Sequence, residues 1–316
     1  MSTSLQESGA STKAMSQGIV FIVLAMLMLP GIDALAKLVS GSISAGQAAW
    51  ARFFFQVIIL APFVLWQGQK IWNRTIWLHA ARGGLIAIAT LLFFMALKVM
   101  PLADAIAIFF VQPFIVTLLA AAILGEAFGW RRMMAIAIGF VGALFIIKPS
   151  YESFGLTALL PVGTAFCFAL YVVLARKLSR TVSPLPMQFL AGVFGLLTMS
   201  MALVIGYAQD IQFVASVWPT YTEWQLLALL GIVATLGHVL VVMAYSRAPV
   251  AVLAPFQYLE IVSATLLGYV VFDDLPDLLT IIGISIIVSC GLFVFYREIK
   301  LSRWRDRSNT VCVERE

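Results

Sequence analysis

In the run "VLAPFQYLEIVSATLLGYVVF", Val252 to Phe272, Glu260 is the one carboxylate in an otherwise greasy segment. Insertion of Asp, Lys or Arg at a helix centre in a membrane costs roughly 2.5–3.5 kcal/mol, and such groups ordinarily face a bundle interior or a watery cavity. Read as one helix, the run puts Gln257 and Ser263 three residues to either side of Glu260, on its face. These groups have the chemistry to line a cavity and contact a substrate or a coupling proton. The alternative is a polar stripe that ties helices together. His238, in the preceding apolar segment "LALLGIVATLGHVLVVMAY", falls at similar height and is the natural partner of Glu260. A second group lies in "LPGIDALAKLV", where Asp33 and Lys37 stand four apart on one helix face, with Arg52 at comparable depth in the next segment. The three either neutralise one another as a structural cluster or form an outer gate or anion anchor. Tyr258, Phe109, Phe110, Trp50 and Tyr245 offer stacking walls for a flat ring, or simply pack. Arg82 is expected to snorkel to an interface and Asp104 to cap a helix end.

Other chemistries are missing from the chain. It has two histidines, His79 and His238, and no HExxH, GxSxG or GxxxxGK[ST] pattern. Cys167, Cys290 and Cys312 show no CxxC or Cys/His spacing, so neither a disulfide framework nor a zinc site is expected. The expectation is no catalytic residue, no metal and no cofactor.

The elements that must position these residues are set by composition. The 316 residues are 62% hydrophobic and only 11% charged, with a mean hydropathy of +1.01. Soluble domains run near 45–50% apolar and about 25% charged, so this chain belongs in lipid. Its net charge of +5 fits basic residues retained on the cytoplasmic side, and no basic patch interleaved with aromatics points to nucleic acid. At about 20 apolar residues per crossing, ten spans are expected: Gly18–Leu38, Gln47–Trp66, Ile76–Leu97, Leu102–Leu124, Arg132–Ile147, Gly155–Leu174, Met187–Tyr207, Trp224–Tyr245, Val250–Phe272 and Leu278–Tyr296. The first stays in the membrane, because the polar start "MSTSLQESGASTKAMSQ" lacks the marks of a removable signal. With the N-terminus inside, only Lys37, Arg52, Lys98 and Lys148 of the 20 basic residues fall on the outer side. Asp210, Glu223, Asp273, Asp274 and Asp277 gather there. Both termini are therefore expected in the cytoplasm.

The chain also repeats itself. "ALKVMPLADAIAIFFVQPFIVTLLAAAILGE" (Ala96–Glu126) aligns without a gap on "AYSRAPVAVLAPFQYLEIVSATLLGYVVFDD" (Ala244–Asp274). Ala96 meets Ala244, Pro101 meets Pro249, Thr117-Leu118-Leu119 meets Thr265-Leu266-Leu267, and Gln112 meets Glu260. Five helices per half is an odd number, so the halves are inverted. That is a recurring plan of secondary transporters, with substrate sites near the midplane where the repeats meet.

The ten-helix pattern, the "ALKVMPLADA" that opens the fourth helix and the "LGE" that closes it resemble the EamA-type carriers of the drug/metabolite transporter superfamily. The run "APVAVLAPFQYLEIVSATLLGYVVFDDLPD" is similar to the branch with bacterial riboflavin importers and S-adenosylmethionine carriers. The resemblance implies an all-α integral membrane protein with ten transmembrane helices as a 5+5 inverted repeat. Its expected divisions are an N-terminal tail 1–16, repeats 17–148 and 155–297, and a basic tail 298–316. The implied function is secondary transport of a small organic metabolite across the inner membrane by alternating access. Riboflavin import comes first; S-adenosylmethionine or another amphiphilic metabolite or amino acid is the alternative. A membrane-embedded enzyme or a non-transporting subunit would be a different class. Expected partners are the metabolite and the lipid bilayer, with no nucleic acid and a homodimer left open. The expected site joins Glu260, Gln257, His238, Gln112, Tyr258 and Ser263, with Asp33, Lys37 and Arg52 as gate or ion cluster.

Overall fold

The computed structural model describes residues 2–66, 75–124, 130–178, 183–245, 247–248, 253–290 and 292–293, and among them every regular element is helical. The helices are α1 (Ser2–Val39), α2 (Ala45–Trp66), α3 (Ile76–Leu97), α4 (Leu102–Phe109), α5 (Gln112–Leu124), α6 (Trp130–Phe154), α7 (Leu160–Leu178), α8 (Pro184–Gln209), α9 (Tyr221–Tyr245) and α10 (Leu259–Phe272), then α11 (Leu278–Cys290). Seven stretches are long and apolar enough to cross a bilayer, and Phe256–Phe272 and Leu278–Cys290 are shorter apolar helices. Helix is the only element that satisfies its own backbone in lipid without closing a barrel. The first span continues N-terminally as helix to Ser2, so the expected tail 1–16 is not a separate coil. The fifth helix runs past Ile147 to Phe154 and meets the next span through a 3-10 turn, Gly155–Leu159. The start of the ninth expected span, the end of the tenth, the side chain of Tyr245 and the tail 298–316 lie outside the described residues.

The fourth and ninth spans differ from expectation in the same way. Leu102–Leu124 is not one helix: α4 stops at Phe109 and α5 starts at Gln112. Pro113 is the cause. It has no N–H to give the Phe109 carbonyl, its ring crowds that carbonyl, and it disfavours helical backbone at Gln112. The chain bridges the gap with tighter bonds, Val111 N to Ile108 O at 3.2 Å and Phe114 N to Val111 O at 3.1 Å. In the ninth span a 3-10 turn, Ala254–Tyr258, with proline in its first turn, precedes α10. In the register that pairs Ala96 with Ala244, α5 and α10 start within a residue of each other: Phe110 matches Tyr258, and Gln112 matches Glu260.

The helices pack in pairs that read alike from either half. α1 lies against α9 and α3 against α7; α3 meets α8 and α2 meets α9; α5 lies on α7 and α1 on α10; α2 and α8 cross each other. Close approaches follow the same rule. A Cβ at Gly83 of α3 would stand 2.4 Å from the Phe194 Cβ of α8, and one at Gly231 of α9 would stand 2.4 Å from the Phe55 Cβ of α2. Gly83 and Gly231 are partners in the same register. Small residues at such crossings let membrane helices approach closely.

α4 is enclosed: Leu102, Ala103, Ala105, Ile106, Ala107 and Ile108 are all buried. α10 is amphipathic in the membrane sense. Val262, Leu266, Tyr269 and Val270 are exposed, whereas Ile261, Ser263, Ala264 and Gly268 are buried. Glu260 is spaced three, four and eight residues from Ser263, Ala264 and Gly268, and so falls on the inward face. α10 ends where Asp273 adopts left-handed backbone at φ 57. Asp273 N then bonds Tyr269 O at 3.0 Å and Asp274 N bonds Gly268 O at 3.1 Å, a paired cap that satisfies the last carbonyls.

Candidate functional site

Glu260 occupies the first turn of α10, immediately after the 3-10 turn. It is therefore not in the middle of a continuous helix, as the sequence alone suggests. The helix amino end carries partial positive charge, which favours an acid there. Glu260 is half-buried as a whole, and Asp33 of α1 lies within electrostatic reach of it. Asp33, also partly accessible, in turn lies within reach of Arg52 of α2. Among the described residues the only ion pair closer than 4 Å is Lys37 with Asp274. Asp33 thus lies within electrostatic reach of both Arg52 and Glu260 without an ion pair to either.

Arg52 is the best-held member. It is 8% exposed, and its Nη1 donates to Thr90 Oγ1 of α3 at 2.6 Å. Its Nη2 stands 3.4 Å from His238 Nε2 of α9. His238 Nδ1 donates to Ala234 O at 2.7 Å, which leaves Nε2 as the acceptor that meets the guanidinium. Thr90 donates to Ile86 O at 2.8 Å. The register that pairs Ala96 with Ala244 also pairs Thr90 with His238 and Ile86 with Ala234. One cation is thus gripped from two sides by residues matched in the sequence register, each anchored to a matched carbonyl one turn earlier. Arg52 Nε is buried and has no hydrogen-bond partner.

Several expected groupings are corrected by this geometry. His238 turns to Arg52 and Ala234, so its ring nitrogens are not directed at Glu260. Lys37 leaves Asp33 and Arg52 and reaches Asp274 at 2.6 Å, lying 4.7 Å from the centre of the Phe272 ring. The stripe of Gln257, Glu260 and Ser263 divides, because Gln257 belongs to the 3-10 turn. Ser263 is buried and donates to Leu27 O of α1 at 3.0 Å, which is helix-to-helix adhesion. Gln112 opens α5 and is partly accessible, at the position matched to Glu260. Arg82 does not snorkel: 3% exposed, it donates to Met187 O and to Tyr171 Oη, each at 2.6 Å. Asp104 sits in the first turn of α4, but the cap residue Pro101 has no N–H for it to bind and its Oδ1 is buried without a hydrogen-bond partner.

Aromatic rings line the junction of the two interruptions. Phe110 and Tyr258, matched residues, touch with ring centroids 5.8 Å apart. Phe109 meets Phe93 at 5.8 Å, Phe110 at 6.3 Å and Phe168 at 5.5 Å, all near edge-to-face. Trp50 instead stacks on Phe54 at 4.8 Å and donates to Ser200 Oγ at 2.9 Å. Phe168 and Tyr171, which sequence reading did not select, extend the array towards Arg82.

The EamA-like transporter family matches residues 16–148 and, a second time, residues 155–297. The chain belongs to that family. An S-adenosylmethionine uptake transporter of Rickettsia bellii is 29% identical over 291 residues, covering 91% of this chain and 96% of that protein. A riboflavin transporter of Vibrio cholerae is 28% identical over 297 residues, covering 92% and 97%. A pseudopaline exporter of Pseudomonas aeruginosa is 28% identical over 278 residues, covering 87% and 95%. A crystal structure at 21% identity superposes with a TM-score of 0.61 over 92% of this chain and 99% of its own, which shows the fold alone. As an EamA-family chain with these helices, the molecule is a multi-pass membrane transporter.

Proposed function

We propose that the chain is a secondary transporter with ten spans in a 5+5 inverted repeat, moving a small organic metabolite by alternating access. The observation that carries this reading is the central junction. The break between α4 and α5 and the 3-10 turn that leads into α10 meet through the matched rings of Phe110 and Tyr258. Contacts between matched residues arise where the axis relating two equivalent halves passes. Interrupted helices at corresponding positions of two halves are the usual location of a transporter's substrate site. The mirrored packing of α1 on α9 with α3 on α7 supports the same axis. Rocking of one half against the other about this axis would open the polar groups near Arg52 to each side in turn.

The charge distribution of the loops supports a bacterial inner-membrane location with both termini in the cytoplasm. Of the two substrates the resemblance implies, the charged groups at the junction favour an ionic metabolite such as S-adenosylmethionine over the uncharged flavin ring. The aromatic array suits the flat ring of either. The test is uptake of labelled S-adenosylmethionine and riboflavin by vesicles that contain only this chain. Flux above protein-free vesicles is expected. Vesicles that pass neither compound, nor any of a panel of related metabolites, would exclude the reading.

A further inference from the structure

We propose that the junction binds the head of a zwitterionic metabolite, Arg52 receiving its carboxylate and Asp33 with Glu260 receiving its cationic centre. This assignment rests on the transporter reading above and names the substrate class of that site.

The first support is the state of Arg52. A guanidinium has five N–H donors in a fixed fork suited to a carboxylate. Here Thr90 and His238 engage one terminal nitrogen each, and buried Nε engages nothing. Among the described residues no acid lies in ion-pair contact with Arg52. Burying a charge without a partner costs several kcal/mol. The chain nevertheless holds this one between Thr90 and His238, residues matched in the sequence register. A structural arginine would be expected to close on Asp33, which is near enough to interact with it electrostatically and yet does not touch it. A cation held short of its acid, with Nε unused, keeps donor capacity for a visiting anion.

The second support is the pair of acids. Asp33 and Glu260 come from different helices, α1 and α10, and lie within electrostatic reach of each other. Neither forms an ion pair with a described residue, and both remain partly accessible on inward helix faces. Two facing carboxylates repel, and a positive group between them removes the repulsion. An α-amino-acid head supplies both complements on one carbon: a carboxylate for the guanidinium and an ammonium for the acids. With one cation set against two acids, the site also tolerates a second positive charge on the ligand. A neutral ligand would desolvate all three groups and compensate none.

The test deletes charge from the ligand first, so that it does not depend on a variant folding. Binding of S-adenosylmethionine, its decarboxylated form, 5′-methylthioadenosine and riboflavin to the detergent-purified full chain is measured by calorimetry. Loss of the carboxylate is expected to weaken binding at least about tenfold, the value of a charge-assisted hydrogen bond. Arg52→Gln should abolish that difference. Glu260→Gln should weaken S-adenosylmethionine and its decarboxylated form alike, since both keep the cationic centre. Equal affinity for the two forms in the unaltered chain would overturn the assignment, as would riboflavin binding that ignores both substitutions. If riboflavin still crosses vesicles containing the chain, transport stands and only the substrate class falls. If no probe binds or crosses, both fall.

Discussion

At the scale of single residues, the account turns on Arg52 and Glu260, which meet their surroundings in different ways. Arg52 is held by Thr90 and His238, so Thr90→Val should leave Nη1 without its acceptor. The expected loss is about 1–3 kcal/mol of stability, read as a lower midpoint of thermal unfolding in detergent, with impaired uptake. An unchanged midpoint and rate would show that the contact contributes nothing. Glu260→Gln keeps shape and most hydrogen bonding while deleting a charge that no partner balances. The variant should fold normally and lose at least about tenfold in transport of a cationic substrate; normal folding with unaltered kinetics would reduce Glu260 to helix packing. Sequence alone singled out both residues, because charge inside an apolar run is conspicuous. It could not wire them. That His238 serves Arg52 and that Lys37 serves Asp274 depends on helix rotation and on contacts between segments nearly two hundred residues or more apart. Arg82 was misread for a related reason. Its neighbours Tyr171 and Met187 come from other helices, and only their arrival turns an interfacial position into a buried one.

At the scale of helices, the interruptions and the close crossings matter most. The break between α4 and α5 was legible in "FFVQPF", where Pro113 forbids a continuous ladder, although length and hydropathy suggest a single span. Pro113→Ala should let Leu102–Leu124 form one helix. A proline inside a helix costs about 3 kcal/mol, so the variant should melt higher while transporting more slowly, since the junction at Phe110 would be redrawn. A higher midpoint with full transport would show that the break is incidental. The crossings make a paired prediction. Gly83→Ala and Gly231→Ala each push a methyl against a phenylalanine Cβ, so each should destabilise by about 1–3 kcal/mol. Gly41→Ala, with nothing within 4 Å of the new carbon, should serve as the control for folding. Unequal effects at the two matched glycines would argue that the halves are not equivalent. The sequence carried the register of these matches in its ungapped repeat; which face met which partner required the packed bundle.

At the scale of the whole molecule, composition had already placed the chain in lipid, and the repeat had already suggested two related halves. The contacts between matched residues, Phe110 with Tyr258 and Thr90 with His238 through one guanidinium, became visible only in the packed bundle. Orientation is open to a direct check. With the native cysteines replaced, a cysteine beside Asp210 should react with an impermeant reagent on intact cells, and one beside Arg303 should not; the reverse pattern would overturn the orientation, and labelling of both or neither would remove the inversion argument. The central claim, that two halves alternately expose one central site, is tested most directly by counterflow. Vesicles containing only this chain are loaded with excess unlabelled S-adenosylmethionine and diluted into a trace of the labelled compound. The account predicts a transient accumulation of label above its outside concentration, abolished by Arg52→Gln. Plain equilibration without accumulation, or entry that the substitution leaves unchanged, would contradict it.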